Sequence, residues 1–461
     1  MVQLYEKHAQ DAQQCLEKLF SASHDSSFAG KAVANYYSNG GKWLWMDNHR
    51  QLDKCSAADS MLNKELKEMG FSPATFNLAD IDSALAVMQK PDSAENVAQV
   101  MANAEFFLTN ACLKYAIGQR FGFTKPSLLF GKQSYDIDNE EPDSTFLANA
   151  FEQLAEPHAM KEFLRSVESA DSAYHRLKAR LATDSTTADR LLTLCNMERL
   201  RWRDKKHPEQ ACRRIFVNIA AQQVWGIGPD SIINMRICCG KPSTKTPLLS
   251  SEIHLIQVNP EWGIPQSIIR GEVSGHAGDS AYFARRNYYV TNSSGQHVNP
   301  SSLSSADLRS GRYAVRQRSG PGNSLGRIIF RFANRFSVYL HDTSTPSAFN
   351  KERRTVSHGC VRLQRPFDMA EFVLPEADDW KLDQMRLSMD LKPKTDRGKE
   401  YRRTHTGAIR LVNSVNVEPK VPVVINYFTL YPNPKTGETQ KWPDLYSYDN
   451  IIAKAIKPFL P

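Results

Sequence analysis

The sequence predicts an α+β protein in which a helical N-terminal domain precedes a mostly β domain of sandwich or barrel type. Apolar residues recur every three or four positions in the N-terminal half, as in amphipathic helices. Short β-rich runs bounded by Gly, Pro, Asn or Asp recur in the C-terminal half. Charge divides in the same way, because residues 1–200 carry 20 Lys and Arg against 27 Asp and Glu, and residues 201–461 carry 38 against 23. We therefore expect two domains, 1–205 and 212–461.

Composition excludes several classes of protein. The 461 residues are 41% hydrophobic and 23% charged, which is typical of a packed globular protein. No stretch approaches the roughly 18 uninterrupted apolar residues that a membrane span needs, and the first 20 residues are too charged for the apolar part of a signal peptide. The net charge of +8 suits an anionic polymer or carboxylate-bearing substrates. No helix-turn-helix, finger or RNA-binding signature is present, so we expect no nucleic-acid partner.

The cysteines do not indicate a metal site or a disulfide framework. Eight are scattered along the chain, none forms a Cys-x-x-Cys pair, and no Cys and His spacing resembles a zinc site. Cys238 and Cys239 are adjacent in a predicted strand, so their side chains should point to opposite faces. We expect neither a metal ion nor another cofactor.

Four segments characterise the N-terminal domain. Apolar residues at helical spacing predict a long helix over 97–122 with Gly122 as its stop, and 156–182 has a similar helical pattern. GGKWLWMDN (40–48) is an aromatic insertion among helices, which we interpret as a packing anchor. The acidic stretch 132–144 predicts a surface loop.

The C-terminal domain is predicted from short strands and one long irregular segment. The expected strands are RIFVNI (214–219), SIINMRICC (231–239), EIHLIQV (252–258), RIIFRF (327–332), FSVYLH (336–341) and VPVVINYFTLY (421–431). Between them, residues 271–325 are rich in Gly, Ser and Arg. A loop this long inside a compact domain is usually functional, and its place before the strand ending at 341 predicts a lid.

One cysteine and one histidine are candidates for chemistry. Cys360 follows Ser-His-Gly, and His341 closes a predicted strand 19 positions earlier. A thiol with a pKa of about 8.5 is mostly protonated at neutral pH, so a nucleophilic cysteine needs a base or a cation nearby. The connecting residues are long enough to turn back and place Cys360 beside His341, which could then act as the base. His358 is a competing base, but the strand pattern puts it on a neighbouring face, where it would shape the site. On these residues alone, a structural cysteine remains the alternative.

The neighbours of Cys360 extend this hypothesis. Attack on a carbonyl creates an oxyanion that backbone amides must stabilise, and the amides of Gly359 and Cys360 are the natural donors. The backbone carbonyl of Asp342 could hold the imidazole of His341 in one tautomer. Arg362 is two residues beyond Cys360 on the same strand face, where it could pair with a substrate carboxylate.

His341 together with Ser-His-Gly-Cys-Val-Arg (357–362) resembles the signature of L,D-transpeptidase catalytic domains of the YkuD type. Further resemblance covers most of the chain in the same order as in the large Gram-negative enzymes. The segments are WLWMDN (43–48) and NMERLRW (196–202) of a helical scaffold domain, RRIFVNIAAQQVW (213–225) as the first strands, 238–269 with its Gly-Lys-Pro turn, and 421–449 as a C-terminal strand pair. We find no insertion resembling a peptidoglycan-binding module before residue 196.

The resemblance implies a peptidoglycan cross-linking enzyme in the periplasm that contributes to cell-wall biogenesis and cell shape. Its cysteine would attack the third-residue carbonyl of a donor tetrapeptide stem, release D-alanine, and pass the acyl group to the side-chain amine of an acceptor stem. Donor and acceptor stems would be the partners, carbapenems the inhibitors, and periplasmic cell-wall proteins further partners. Tyr339 and Trp262 would line the pocket, Ser357, His358 and Arg362 would contact the substrate, and 271–325 would be a mobile cap.

Other functions remain open from the sequence. The same thioester resolved by water would give an L,D-carboxypeptidase, and resolved by a lipoprotein lysine it would give an anchoring enzyme. A non-catalytic wall-binding scaffold is a further alternative, against which the intact His341, Gly359 and Cys360 argue. A papain-like protease would place its nucleophile on a helix near the mature N-terminus, ahead of the histidine, and the order here is the reverse.

Overall fold

The computed structural model describes residues 2–22, 25, 27–46, 51–89 and 96–461. In chain order its helices are α1 (Val2–Ala22), α2 (Phe28–Ser38), α3 (Gln51–Met69), α4 (Leu78–Met88), α5 (Val97–Phe121), α6 (Pro126–Phe130), α7 (Ser144–Ala155), α8 (Pro157–Ser166), α9 (Ser172–Leu181), α10 (Thr187–Arg201), α11 (Gln266–Gly271), α12 (Ser280–Arg285), α13 (Ser305–Arg309), α14 (Pro366–Val373), α15 (Asp379–Ser388), α16 (Asp396–Thr404) and α17 (Tyr448–Ile456). Its strands are β1 (Tyr135–Asp136), β2 (Arg214–Asn218), β3 (Gln223–Ile227), β4 (Ile232–Gly240), β5 (Leu248–Val258), β6 (Trp262–Gly263), β7 (Tyr288–Thr291), β8 (His297–Val298), β9 (Ala314–Gln317), β10 (Ile328–Phe332), β11 (Leu340–His341), β12 (Thr355–Ser357), β13 (Val361–Leu363), β14 (Ser414–Asn426), β15 (Leu430–Pro432) and β16 (Thr439–Lys441).

The chain divides into two compact units, and the α+β class is confirmed. A helical unit comprises residues 1–131, 138–206 and 428–461, and a β-rich unit comprises 132–137 and 207–427. The main change between them lies at 206/207. Residues 132–137 belong to the β-rich unit and 428–461 to the helical unit, whereas the sequence analysis assigned the first range to the N-terminal domain and the second to the C-terminal domain.

In the helical unit, α5 packs against α1, α2, α3 and α4. It ends at Gly122, whose φ of +97° favours glycine, so the predicted helix and its stop both form. The second helical pattern, 156–182, is instead broken into α8 and α9. The break occurs because Asp171 caps the new helix by accepting a hydrogen bond from the amide of Ala173. Among the described residues no helix has the length and apolar character required to cross a membrane.

The aromatic insertion packs inside the helical unit through a buried polar cluster. Trp45 is fully buried and its indole N–H donates to Thr109 Oγ1 at 2.9 Å. The carboxylate of Glu105 accepts hydrogen bonds from the amides of Leu44 and Trp45 at 2.5 and 2.9 Å, and burial raises its pKa to about 7. The ammonium of Lys54 donates to the carbonyl of Leu44 at 2.6 Å. Asp47 and Asn48 of the insertion lie outside the described residues.

Polar residues of NMERLRW hold the C-terminal segment in the helical unit. Asn196 Oδ1 accepts a hydrogen bond from the amide of Thr429 at 3.0 Å, and Arg199 forms a 2.6 Å ion pair with Asp449. The expected strand pair over 421–449 is therefore divided. Its first strand, β14, belongs to the β-rich unit, while β15 and β16 form a hairpin in the helical unit.

The β-rich unit is built on a closed sheet. Its strand order is β1-β5-β10-β11-β13-β4-β3-β2-β14, and β14 pairs with both β2 and β5, so the sheet closes on itself as a barrel. The expected surface loop 132–144 contributes β1 to this sheet, where Tyr135 is buried. Helices α14, α15 and α16 lie between β13 and β14 in sequence, and our reading of the sequence did not predict them.

The segment predicted as a long loop is a folded subdomain. Residues 262–317, called the cap below, contain helices α11, α12 and α13 and a sheet in the order β6-β9-β7-β8. The cap has its own apolar core, formed by Ile264, Ile269, Val273, Tyr282, Phe283, Val290, Leu303, Leu308 and Val315. Its strands have two to four residues, so the Gly, Ser and Arg of their turns dominate the sequence pattern.

Candidate active site

Strand pairing brings the candidate base and nucleophile to neighbouring segments of the barrel sheet. β11 runs parallel to β13 in a register that pairs Leu340 with Val361 and His341 with Arg362. Cys360 directly precedes β13 and lies two residues before Arg362, so strand alternation carried one residue beyond β13 would put its side chain on the face of His341.

The imidazole of His341 is buried and neutral at physiological pH. The residue is only 3% exposed, and burial together with the nearby charge of Arg362 lowers its pKa to about 4. Its Nδ1 lies 3.4 Å from the carbonyl oxygen of Leu325, and hydrogen bonds to the backbone of Leu325 and Asp342 partly offset the shift. A proton held on Nδ1 by a carbonyl leaves Nε2 free to accept one.

A tight turn presents the Leu325 carbonyl to His341. Gly326 has a φ of +67°, and a Cβ at this position would lie 2.4 Å from Asp342 Oδ2. That same oxygen accepts a hydrogen bond from the amide of Arg327 at 2.8 Å. Before the turn, buried Asn323 accepts a hydrogen bond from the amide of Leu325 at 2.8 Å.

We expected Asp342 to orient the imidazole through its carbonyl alone. In the structure the Leu325 carbonyl shares that role, and the carboxylate of Asp342 supports the turn that carries it. Spacing along the sequence gives no sign of this contact, because Leu325 is 16 residues from His341 and lies beyond the preceding strand.

The thiol of Cys360 is half-buried. Burial raises its pKa, and a hydrogen bond from the backbone of Tyr339 and the charges of Arg362 and Arg331 offset part of the rise. Its Sγ lies 3.8 Å from the carbonyl oxygen of Ser337. Within the described part of the chain, no hydrogen bond joins this sulfur to the imidazole of His341. A side-chain rotation or a bridging water is therefore needed before a proton can pass between them.

The turn that carries Cys360 differs from our expectation at two residues. Gly359 adopts a φ of +121°, which only glycine accepts readily. Its amide, expected in the oxyanion hole, donates instead to Ser357 Oγ at 3.1 Å, and that hydroxyl donates to the Cys360 carbonyl at 2.6 Å. Ser357 is 2% exposed, so its hydroxyl shapes the turn rather than contacting a substrate. Among the described residues the Cys360 amide has no hydrogen-bond partner, which leaves it as the donor for an oxyanion.

A neighbouring turn, 240–246, supports the turn 357–360 through hydroxyl groups that our sequence analysis did not assign. The turn 357–360 is called the nucleophile turn below, because it carries the candidate nucleophile Cys360. Thr246 Oγ1 donates to the carbonyl of Gly359 at 2.8 Å and accepts from the amide of Gly240 at 2.9 Å. Thr244 Oγ1 donates to the carbonyl of Ser357 at 3.1 Å. The Gly-Lys-Pro motif at 240–242 marks this turn in the sequence, but the sequence analysis used it only as part of the family resemblance.

The remaining candidate residues occupy different places around the site. Nε of Arg362 is buried without a hydrogen-bond partner in the described structure, so this guanidinium retains capacity for an anion. The ring of Tyr339, opposite Cys360 in the register, lies 4.6 Å beneath the guanidinium of Arg331. Trp262 lies in β6 and packs against the core of the cap.

His358 is exposed, and its Nε2 lies 2.8 Å from a carboxylate oxygen of Glu272, which follows α11 of the cap. The pair links the cap directly to the nucleophile turn. No disulfide forms among the cysteines, all of which lie at described positions, and the described residues contain no cluster of three potential metal ligands.

Comparison with known families decides the identity of the β-rich unit. Residues 213–425 match the L,D-transpeptidase catalytic domain, YkuD, and residues 31–181 match the Scaffold domain. Residues 213–425 form a YkuD-type L,D-transpeptidase catalytic domain. His341 and Cys360 lie within it, and the resemblance predicted from their motif is confirmed. No peptidoglycan-binding module was matched.

One relative has a name that agrees with this domain. The chain is 28% identical over 241 residues to a protein of Haemophilus influenzae named putative L,D-transpeptidase. The similarity covers 52% of this chain and 45% of the relative, so the chain spans less than half of that protein's length.

Proposed function

We propose that the protein is a peptidoglycan L,D-transpeptidase in which Cys360 is the nucleophile and His341 the general base. The observation that supports the proposal is the register that pairs His341 with Arg362, two residues after Cys360, inside an L,D-transpeptidase catalytic domain. The substrate would be a donor tetrapeptide stem, and the location would be the periplasm, where such stems are found.

The pKa shifts at the site favour a concerted first step. The pKa of the Cys360 thiol is raised and that of the His341 imidazole is lowered to about 4, so both groups are neutral at pH 7. The sulfur would attack the third-residue carbonyl as the thiol proton passes to His341 Nε2, directly or through a water. The Cys360 amide would stabilise the oxyanion that forms.

Collapse of this tetrahedral species would give the acyl-enzyme. The carbon–nitrogen bond to the terminal D-alanine breaks, and its nitrogen takes the proton from the imidazolium of His341. A thioester on Cys360 remains. The side-chain amine of an acceptor stem would then attack the thioester, lose a proton to His341 and form the new amide bond. The sulfur would leave and recover that proton, which restores the starting state.

The charges around the thiol suit a substrate with free carboxylates. Arg362 and Arg331 both act on Cys360, and Nε of Arg362 lacks a partner within the described residues. A stem peptide has carboxylates near its third and fourth residues, which a guanidinium can bind in a bidentate manner. Carbapenems, which also have a carboxylate beside a reactive carbonyl, would acylate the same thiol, and cell-wall proteins of the periplasm are proposed as further partners.

The proposal is tested by incubating the protein with purified tetrapeptide muropeptides and reading the products by mass. Dimers that have lost one D-alanine are expected. Tripeptides alone would show that water resolves the thioester, which makes the enzyme an L,D-carboxypeptidase. Transfer only to an added lysine-containing lipoprotein peptide would show an anchoring enzyme. Absence of any D-alanine release would refute acyl transfer from stem peptides.

The nucleophile is tested separately with a carbapenem and intact-protein mass spectrometry. Cys360→Ala should give no covalent adduct. Cys212→Ala removes an exposed thiol elsewhere in the chain and should retain the adduct, which makes it the matched control. An adduct on the Cys360→Ala variant would exclude Cys360 as the nucleophile.

A further inference from the structure

The peptide group between Gly359 and Cys360 carries the donor that an oxyanion would need. A trans peptide is planar, so its C=O and N–H point in opposite directions. The Cys360 N–H can therefore face a substrate carbonyl only if the Gly359 carbonyl faces away from it. The orientation of this one plane decides whether the site has an oxyanion hole.

Glycine does not fix that plane by itself. Gly359 has no side chain, and glycine passes readily between backbone conformations. An added Cβ would meet only the carbonyl oxygen of Lys245 at 3.7 Å and a methyl of Val338 at 3.9 Å, which are ordinary contacts. A hydrogen bond must hold the carbonyl if the plane is to stay in one orientation.

Thr246 supplies this hydrogen bond from the interior. Its side chain is fully buried, and its hydroxyl donates to the Gly359 carbonyl at 2.8 Å. The hydroxyl is itself oriented, because it accepts from the amide of Gly240 at 2.9 Å and so has its hydrogen available for Gly359. With the carbonyl held on the buried side, the Cys360 N–H must point to the opposite side.

The geometry points to Thr246 as a positioning residue that sets the oxyanion hole by fixing the plane of the Gly359–Cys360 peptide. The inference deepens the proposed function and rests on its assignment of Cys360 as the nucleophile. Thr246 touches no reacting atom and acts through the backbone of the nucleophile turn.

The chain offers a matched control on the same turn. Thr244 also donates its hydroxyl to a carbonyl of the nucleophile turn, that of Ser357, at 3.1 Å. That carbonyl also accepts from the amide of Lys241 at 3.0 Å, so it keeps a donor when Thr244 is changed. Its peptide carries the N–H of His358 and not that of Cys360.

The test compares two reactions of the same thiol in a Cys212→Ala background, which removes the exposed competing thiol. Acylation by a carbapenem passes through an oxyanion, whereas alkylation by iodoacetamide does not. Thr246→Val should slow acylation by about 10- to 100-fold, since losing an oxyanion donor outright costs about 10²- to 10³-fold. It should leave alkylation within about twofold, because the thiol and its base are unchanged.

Two further variants complete the test. Thr246→Ser retains the hydroxyl and should restore most of the acylation rate, and Thr244→Val should lose far less than Thr246→Val. If Thr246→Val does not fold, Thr246→Ala removes the hydroxyl with less crowding. Unchanged acylation in the variant without the hydroxyl would overturn the inference. Equal losses in acylation and alkylation, or a Ser variant as slow as the Val variant, would also overturn it.

Failure of the proposed function gives a different result. If the unmodified protein is acylated by the carbapenem in a Thr246-dependent manner but releases no D-alanine from stem peptides, the substrate assignment fails and the role of Thr246 stands. If stem peptides are processed at the same rate with and without the Thr246 hydroxyl, the substrate assignment stands and the role of Thr246 fails.

Discussion

Replacement of Gly326 by alanine should weaken both the fold and the active site. The residue has a φ of +67°, so any side chain there adopts the left-handed region. That alone costs about 1–2 kcal/mol. The added methyl would also lie 2.4 Å from Asp342 Oδ2, closer than real contacts allow. The carboxylate must therefore move and give up its 2.8 Å hydrogen bond from the Arg327 amide.

The expected loss follows from these two effects. A hydrogen bond to a charged group contributes about 1.5–3 kcal/mol, so Gly326→Ala should lower the free energy of unfolding by about 3 kcal/mol or more. Gly311 provides a control, because its φ is +79° and an added Cβ would meet nothing within 4 Å. Gly311→Ala should lose only the backbone contribution of about 1–2 kcal/mol. Both positions belong to the β-rich unit.

Gly326→Ala should also slow acylation. Displacing the turn moves the Leu325 carbonyl away from Nδ1 of His341, which loosens the orientation of the base, and a loss of about tenfold or more is expected. Denaturant unfolding followed by fluorescence and carbapenem acylation followed by mass measure the two effects. If Gly326→Ala and Gly311→Ala unfold at the same denaturant concentration and acylate at the same rate, the turn does not hold His341.

Two further predictions concern the base and the cap. His341 must be neutral to accept a proton, and its pKa is lowered to about 4, so the acylation rate should stay high on acidification and fall only near pH 4. A fall centred near pH 6.5 would contradict the effect of burial. His341→Gln should slow acylation by about 10²-fold or more. Glu272→Gln changes one partner of an exposed contact with His358, so the free energy of unfolding should change by less than about 1 kcal/mol. If this contact keeps the cap in position to bind substrate, Glu272→Gln should raise the KM for a stem peptide and leave the acylation rate with a small carbapenem unchanged. Equal changes in both would argue against that role.

The parts of the fold that the sequence predicted are those decided locally. The helix over 97–121 and its stop at Gly122 follow from apolar spacing and one glycine. The placement of Cys360 beside the β11 strand follows from strand alternation and loop length. Several strands were also shorter than predicted, since FSVYLH forms a strand only over Leu340–His341. Apolar alternation indicates which residues suit a sheet, but pairing partners decide which of them enter it.

The parts that could not be predicted depend on contacts between distant segments. The carbonyl that receives His341 Nδ1 belongs to Leu325, and the hydroxyl that fixes Gly359 belongs to Thr246, 113 residues away. The sequence does not show that the Gly359 amide donates to the Ser357 hydroxyl, so this amide was assigned to the oxyanion hole. The cap was interpreted as a loop because strands of two to four residues give too few alternations to detect.

The division of the helical unit in sequence has a consequence for synthesis of the chain. Residues 428–461 complete that unit through contacts such as Arg199 with Asp449, yet they are synthesised after the whole β-rich unit. The β-rich unit, which has all of its residues by position 427, can finish folding while the helical unit still lacks its final segment. A chain cleaved after residue 427 would therefore keep a complete β-rich unit, with Cys360 in it, attached to an incomplete helical unit.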